Sequence, residues 1–192
     1  MLFRSAEVLN TEETADGIYL HRVKISSGSF VSGMRVRGSV DRRRRLSIAR
    51  NHTATHLLHE ALRRVLGDHV VQKGSYVSDD RLRFDFQHEE PLTAEEKDRI
   101  EEIVNTAILD NYPVVTEVKK LEDARSSGAM ALFDESYDEE VRVITIGDFS
   151  CELCGGTHLN TSGVIRLFFI TSEGGIASGV RRIEAVTGEA AH

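Results

Sequence analysis

The sequence is poor in the residues that mark several classes of protein. Its 192 residues include two prolines, two cysteines and no tryptophan. Two cysteines cannot build the disulfide framework of a small secreted domain, and the spacing Cys151-Glu-Leu-Cys154 indicates metal or redox chemistry instead. Disorder is also excluded, because 40% of the residues are hydrophobic and a chain of this length can bury a sizeable core.

Long apolar runs are absent as well. The most apolar stretch, residues 164–170, is far shorter than a membrane span and contains Arg166. After Arg4 the N-terminus turns polar and acidic, whereas the charged start of a signal peptide leads into an apolar segment. We therefore expect a cytoplasmic protein without a membrane partner.

Positive charge is in deficit overall. The chain has 24 lysines and arginines against 31 aspartates and glutamates, a net charge of −7, whereas an autonomous nucleic-acid-binding protein presents a strongly basic face. A DNA partner is not expected, and any contact with RNA must be local or assisted. The local exception is the run Arg42 to Arg45, whose adjacent guanidinium groups repel one another unless an anion lies nearby.

The order of helix and strand patterns predicts an α+β fold. Residues 1–44 contain β-rich pieces between glycines, at 17–25 and 34–40, and predict a small β-barrel subdomain. In residues 45–192 we expect helices packed on a mixed or antiparallel sheet. The predicted helices run from the N-cap Ser47 to Leu66 and from the capping box at Thr93 to about Asn111, with strands near 70–77, 81–87, 114–118, 141–146, 164–170 and 180–186.

Two pairs of side chains carry the chemistry. His52 and His56 are four residues apart on the first predicted helix, so their rings lie one turn apart on one face and can bind the same ion. The segment Cys154-Gly-Gly-Thr-His158 places a thiol and an imidazole around two glycines, which permit a tight loop that directs both side chains inward. Together the four residues make a tetrahedral nitrogen and sulfur set suited to zinc.

Neighbouring residues leave two alternatives open. Cys151 and Cys154 form a C-x-x-C pair of the kind used in redox proteins, although the strand-then-helix context that activates such a thiol is not predicted here. His59 shares the helical face of His56 and is either an alternative ligand or a residue that packs against the ligands and supports them.

Five motifs are spread over nearly the whole chain. They are Asn51-His-Thr-Ala-Thr-His56, Gln72-Lys-Gly-Ser75, Arg83-Phe-Asp-Phe86, Gly147-Asp-Phe-Ser-Cys-Glu-Leu-Cys-Gly-Gly-Thr-His158 and Gly179-Val-Arg-Arg-Ile-Glu-Ala185. In order and spacing they resemble the editing domain of alanyl-tRNA synthetase. The stretch before Arg42 is similar to the small β-barrel that precedes that domain.

The resemblance implies a hydrolase that removes a wrong serine or glycine from the 3′ acceptor end of alanine tRNA. It implies one zinc ion per chain, bound by His52, His56, Cys154 and His158. Such a second site is needed because a pocket built for alanine cannot firmly exclude glycine, which lacks one methyl group. The ATP-binding ligase region of such an enzyme is not in this sequence, so we interpret it as a fragment whose partners are alanine tRNA and the remaining synthetase domains.

Further roles follow from the resemblance and from residue chemistry. Thr55 and Gln72 are predicted to recognise the serine hydroxyl, the alternatives being a bond from Thr55 to the preceding helical turn and an exposed strand position for Gln72. Asp148 and Glu152 are predicted to orient a ligand histidine, or else to form hydrogen bonds within their loop. The predicted phosphate contacts, with ordinary surface charge as the alternative, are Arg181, Arg182, Lys73, Arg42, Arg43, Arg44 and Arg45.

Other functions stay open at this point. A free-standing trans-editing hydrolase is one, because such proteins carry the same H-x-x-x-H and C-x-x-x-H pairs. A non-catalytic module in which zinc only holds together an RNA-binding domain is another. A redox protein that uses Cys151 and Cys154 is the third.

Overall fold

The computed structural model describes residues 4–126, 128–130 and 138–191. The chain divides into two compact units, Met1–Val40 and Asp41–His192. Strands occur in both units and helices in the second, so the predicted α+β class is confirmed. None of the described helices is both long and apolar enough to cross a membrane.

The described part of the first unit is a β-hairpin. Its strands, β1 (Ser5–Glu13) and β2 (Tyr19–Ser27), pair antiparallel. The predicted strand at 34–40 is wrong: these residues have no regular secondary structure, and the described residues of this unit offer them no pairing strand. The closed small β-barrel stays a prediction.

The second unit is built around the long helix α1 (Arg42–Leu66). The helix begins before the predicted N-cap Ser47 because Asp41 caps it instead. Oδ1 of Asp41 accepts hydrogen bonds from the amides of Arg43, at 2.8 Å, and Arg44, at 3.1 Å. The predicted end is confirmed, since Gly67 follows the last turn with a φ of 112°, which favours glycine.

Two further helices and two antiparallel sheets complete the second unit. The elements are β3 (Gln72–Val77), β4 (Leu82–Gln87), α2 (Ala94–Leu109), β5 (Val114–Lys120), α3 (Leu121–Ser126), β6 (Glu140–Ile146), β7 (Ser150–Leu153), β8 (Phe168–Ala177) and β9 (Val180–Thr187). One sheet has the strand order β3-β4-β9-β8 and the other β5-β6-β7. The capping box at Thr93 and Glu96 is confirmed at the start of α2.

One predicted strand is displaced along the chain. The predicted strand near 164–170 begins later, because Ser162–Ile165 form a short 3-10 turn. Arg166 follows with a φ of 77°, outside the β region, so β8 begins at Phe168 and not at residue 164.

The core lies between α1 and the four-stranded sheet. Leu57 and Leu58 of α1 are fully buried in one cluster with Phe84 of β4, Ile183 of β9 and Ile100 of α2. A second, smaller cluster covers the other side of β6 and β7, and its buried members are Ala124, Ala129, Val141, Val143 and Leu153. Leu153, the last residue of β7, belongs to the small cluster, whereas the next residue, Cys154, packs against the main cluster.

Candidate metal centre

Four side chains from two parts of the sequence converge in the second unit. His52 and His56 lie on α1, and Cys154 and His158 lie in the loop after β7; one ligand atom from each falls within 4.8 Å of all the others. Sγ of Cys154 is 3.3 Å from Nε2 of His52 and 3.3 Å from Nε2 of His158. Tetrahedral zinc holds neighbouring nitrogen and sulfur ligands roughly 3.3–3.6 Å apart, so these two distances are those expected around one ion.

The loop closes tightly on the helix at Gly156. A Cβ at this position would lie 1.8 Å from Cε1 of His52, so a side chain here would overlap the imidazole ring. The amide of Gly156 also donates a hydrogen bond of 3.4 Å to Sγ of Cys154. Of the two glycines predicted to permit a tight loop, Gly156 is therefore required by the approach of the loop to His52.

Two histidines of the group are supported through their other ring nitrogen. Nδ1 of His56 lies 2.9 Å from Oε2 of Glu152, whose side chain is buried. Nδ1 of His158 lies 3.3 Å from the hydroxyl of Thr53. In both rings the Nε2 side is thereby left for a metal ion, which is the usual arrangement of ligand histidines.

His59 lies next to Glu152 and not within the group of four. Its Nδ1 is 3.2 Å from Oε1 of Glu152, and its ring packs 5.1 Å from that of Phe84. Ser150 donates a hydrogen bond of 3.2 Å to the same oxygen. Of the two alternatives for His59, the structure matches the supporting position and not the ligand position.

The electrostatics of the site favour an ionised thiol. Burial raises the pKa of Cys154, but hydrogen bonds from His158, His52 and His56 outweigh burial and lower it to about 3. Burial raises the pKa of Glu152 and lowers that of His56, and their mutual attraction outweighs both effects, so the Glu152 pKa falls and the His56 pKa rises. At neutral pH the group therefore holds a thiolate and a carboxylate beside a protonated His56, and His56 must release its proton when a metal ion binds.

Cys151 is turned away from the centre. It packs against the small cluster, whereas Cys154 packs against the main core. At about 3.3 Å per residue along β7, the two cysteines are roughly 10 Å apart, beyond the reach of a disulfide. Both thiols are free. This geometry does not favour the redox interpretation.

Thr55 and Gln72 occupy different surroundings near α1. The hydroxyl of Thr55 donates a 2.8 Å hydrogen bond to the carbonyl of Asn51, which is the alternative that the sequence left open. Gln72 is the first residue of β3 and lies opposite Phe86 of β4, so it shares the sheet face that is buried against the core. The role of either residue in serine recognition stays a prediction.

The predicted carboxylate Asp148 is not brought to the metal group. Its side chain is exposed in the turn between β6 and β7. There the pKa of Tyr112 is raised by desolvation and by the charges of Asp110 and Asp148. Glu152, by contrast, reaches His56 from inside β7.

The predicted phosphate contacts fall into a paired and an exposed set. Arg181 is buried, and its Nε bonds the carboxylate of Glu173. Arg182 makes a two-pronged contact with Asp85, at 2.7 and 2.8 Å. The remaining predicted contacts are exposed; they are Lys73, Arg42, Arg43, Arg44 and Arg45. Among the described residues, Arg44 is the one of the four consecutive arginines that forms an ion pair, at 3.5 Å to Asp79.

Sequence reasoning missed two residues at the centre. Thr53, directly after His52, was available as a polar residue inside an apolar helix. Arg142 gave no signal, because it acts across the β6–β7 pairing: its Nη1 donates to the carbonyls of Cys154, at 3.4 Å, and Gly156.

Comparison with known proteins agrees with the motifs. Residues 141–184 match the family described as the threonyl and alanyl tRNA synthetase second additional domain. Over 185 residues the chain is 54% identical to the alanine–tRNA ligases of Acetivibrio thermocellus and Methylococcus capsulatus, and 53% identical to that of Idiomarina loihiensis. These alignments cover 96% of this chain and 21% of each relative, so the chain spans about a fifth of their length. The resemblance to the editing region of alanyl-tRNA synthetase is thereby confirmed.

Proposed function

We propose that this chain is a zinc-dependent editing domain that hydrolyses seryl and glycyl esters of alanine tRNA. The observation that carries the proposal is the convergence of His52, His56, Cys154 and His158 within a chain that matches alanine–tRNA ligases over 96% of its length. Hydrolysis of a wrong aminoacyl ester is the reaction that a synthetase for a small amino acid needs, because its first pocket discriminates poorly by size.

The four side chains fit zinc by their chemistry and spacing. Three imidazoles and one thiolate are the borderline and soft donors that zinc takes, and one ion per chain satisfies all four. When bound, zinc supplies Lewis acidity and fixes the shape of the pocket. Glu152 and Thr53 orient His56 and His158, and Gly156 keeps the loop against His52.

Thr55 and Gln72 are proposed to select serine. The Thr55 hydroxyl gives its proton to Asn51 and retains lone pairs that can accept one from a serine hydroxyl. Gln72, at the edge strand β3 and on the face towards the core, offers an amide with both a donor and an acceptor. A buried polar group left unpaired by alanine costs about 1–3 kcal/mol, which separates the two substrates.

The acceptor end of alanine tRNA is the proposed partner. The exposed arginines at the start of α1 and Lys73 supply long-range attraction to phosphate. Arg182 binds Asp85 through Nε and Nη2, so its Nη1 is proposed to bind a phosphate. Arg181 is proposed as a second phosphate contact, from a more buried position beside Glu173.

The rest of the synthetase is proposed as the second partner, in the cytoplasm. Residues 1–44 would form part of the small β-barrel and residues 45–192 the deacylase. The hairpin supports a barrel role because apolar side chains, Val8 and Val23 among them, are exposed on paired strands. A free-standing trans-editing hydrolase remains the alternative form of the same activity.

A non-catalytic zinc-stapled RNA-binding module is the second candidate. It is favoured by the complete set of four protein ligands, which is typical of structural zinc sites. Deacylation of seryl alanine tRNA should be measured beside tRNA binding, after chelation and after zinc is restored. Loss and recovery of hydrolysis at unchanged tRNA binding supports the enzyme. Absence of hydrolysis from the zinc-loaded chain supports the module.

A further inference from the structure

Arg142 forms three hydrogen bonds with the loop that carries Cys154 and His158. Its backbone carbonyl accepts a 3.0 Å hydrogen bond from the amide of Cys154, which extends the β6–β7 ladder by one pair beyond Val143 and Leu153. Its guanidinium Nη1 donates to the carbonyl of Cys154, at 3.4 Å, and to that of Gly156. One residue therefore holds the thiol-bearing residue through both its amide and its carbonyl.

These hydrogen bonds hold the turn Cys154–Gly156, in which successive peptide groups point in different directions. The carbonyls of Cys154 and Gly156 face the guanidinium, while the amide of Gly156 faces back to Sγ of Cys154 at 3.4 Å. Two carbonyl oxygens that share one cationic donor are held together, whereas without it their dipoles repel. The two carbonyls that the guanidinium binds therefore flank, in the sequence, the amide that donates to Sγ of Cys154.

Within the described stretches of the chain, no carboxylate pairs with the guanidinium of Arg142, whereas Arg182 and Arg83, which also lie on the sheets, are paired with Asp85. The side chain is half-buried beside the loop. Its guanidinium is therefore bound to two backbone carbonyls of the loop, those of Cys154 and Gly156.

We propose that Arg142 is a positioning residue that pre-forms the Cys154–Gly156 turn for metal binding. This inference rests on the zinc site of the proposed function. It assigns to a β6 side chain the task of holding Sγ of Cys154 and the amide of Gly156 in register with His52, which Gly156 touches. Residues that orient metal ligands typically change metal affinity about 10–100-fold when they are replaced.

The test compares zinc affinity among variants by competition with a chelator. Arg142→Ala should weaken zinc binding about 10–100-fold, and Arg142→Lys, which retains the charge and one donor centre, should recover part of the loss. Arg99→Ala is the matched control, because Arg99 is an exposed α2 residue paired with Glu102, and its affinity should equal that of the wild type.

Two further readouts separate positioning from loss of structure. With cobalt in place of zinc, the thiolate-to-metal absorption band of Arg142→Ala should shift, because the hydrogen bond from Gly156 to sulfur is altered. In the metal-free proteins, amide exchange at Gly156 should be faster in Arg142→Ala than in Arg99→Ala, and this reports on the turn even if Arg142→Ala binds no metal. Thermal unfolding of the metal-free forms identifies a variant that fails to fold. If Arg142→Ala fails to fold, the test rests on Arg142→Lys: a weakened zinc affinity supports the proposal, and a wild-type zinc affinity overturns it.

The proposal is overturned if Arg142→Ala binds zinc within twofold of the wild type with an unchanged cobalt spectrum and unchanged amide exchange. Failure of the wild-type chain to bind zinc is a different result. It would remove the proposed metal function itself, while amide exchange would still show whether Arg142 holds the turn.

Discussion

The buried carboxylate of Glu152 lies 2.9 Å from Nδ1 of His56 and so determines which ring nitrogen of that histidine faces the metal group. Nδ1 faces the carboxylate, so Nε2 is the ring nitrogen available to the metal group. The other carboxylate oxygen is held by His59 and Ser150, which leaves Glu152 little freedom to move. The orientation of the ligand His56 is thus set by residues that are not ligands themselves, namely Glu152 and its partners His59 and Ser150.

Removal of this carboxylate should weaken the centre. Glu152→Gln keeps the size of the side chain but removes its charge, so we expect zinc affinity to fall about 10–100-fold. Asp148→Asn is the control in the neighbouring turn, and because Asp148 is exposed its affinity should not change. Equal losses in both variants, measured by chelator competition, would refute the assigned contact with His56.

The two cysteines should differ completely in their effect on metal content. Cys154→Ala should lose zinc, because it removes the only sulfur in the group of four. Cys151→Ala should retain one zinc per chain, because Cys151 packs in the small cluster. Elemental analysis of the purified variants decides; a Cys151→Ala protein without zinc beside a Cys154→Ala protein that keeps it would overturn the ligand assignment.

The two loop glycines provide a matched pair for testing the geometry. Gly156→Ala should disrupt the centre, since the new methyl group would overlap the ring of His52. Gly155→Ala should be tolerated, since a Cβ there meets no atom within 4 Å. The measurement is zinc stoichiometry together with the cobalt spectrum. A Gly156→Ala protein with a normal centre would show that the loop does not approach His52 this closely.

Serine selectivity should depend on Gln72 or Thr55. Gln72→Leu and Thr55→Val each remove a hydrogen-bonding partner for the serine hydroxyl, so deacylation of seryl-tRNA should fall more than that of glycyl-tRNA, which has no hydroxyl. The rates on both substrates are compared under single-turnover conditions. Comparable reductions on the two would assign these residues to pocket structure and not to recognition.

RNA attraction should depend on the arginines according to their pairing. Neutralising Arg42, Arg43 and Arg45 should flatten the salt dependence of tRNA binding, because each phosphate that is no longer neutralised removes roughly one unit from the log–log slope. Neutralising Arg181 and Arg182 should also weaken binding, with a smaller change in slope because Glu173 and Asp85 already share their charge. An unchanged slope in both variants would exclude these positions as phosphate contacts.

The sequence predicted the metal group because its signals are local. The spacing of His52 and His56 follows from helix periodicity, and the Cys154–His158 loop is marked by its glycines. The helix begins before the predicted Ser47 because Asp41 caps it, although the arginines of its first turn lie unfavourably at the positive end of the helix dipole.

Contacts between distant segments could not be predicted in the same way. Arg142 contacts Cys154 because of the register between β6 and β7. No spacing of residues along the chain predicts this contact. Arg181 and Arg182 looked alike in sequence, but strand alternation sends one towards the core with Glu173 and the other to Asp85 on the opposite face. Residues 34–40 alternate like a strand, yet the described residues give them no partner.

Hydrolysis of charged alanine tRNA by the zinc-loaded chain tests the central claim most directly. Seryl, glycyl and alanyl esters of the same tRNA are incubated side by side with the protein, and the release of free tRNA is followed in time. We predict rapid release from the seryl ester, measurable release from the glycyl ester and, for the alanyl ester, a rate close to that without protein. Equal rates on the seryl and alanyl esters, or no acceleration of either by the zinc-loaded chain, would contradict the proposed editing function.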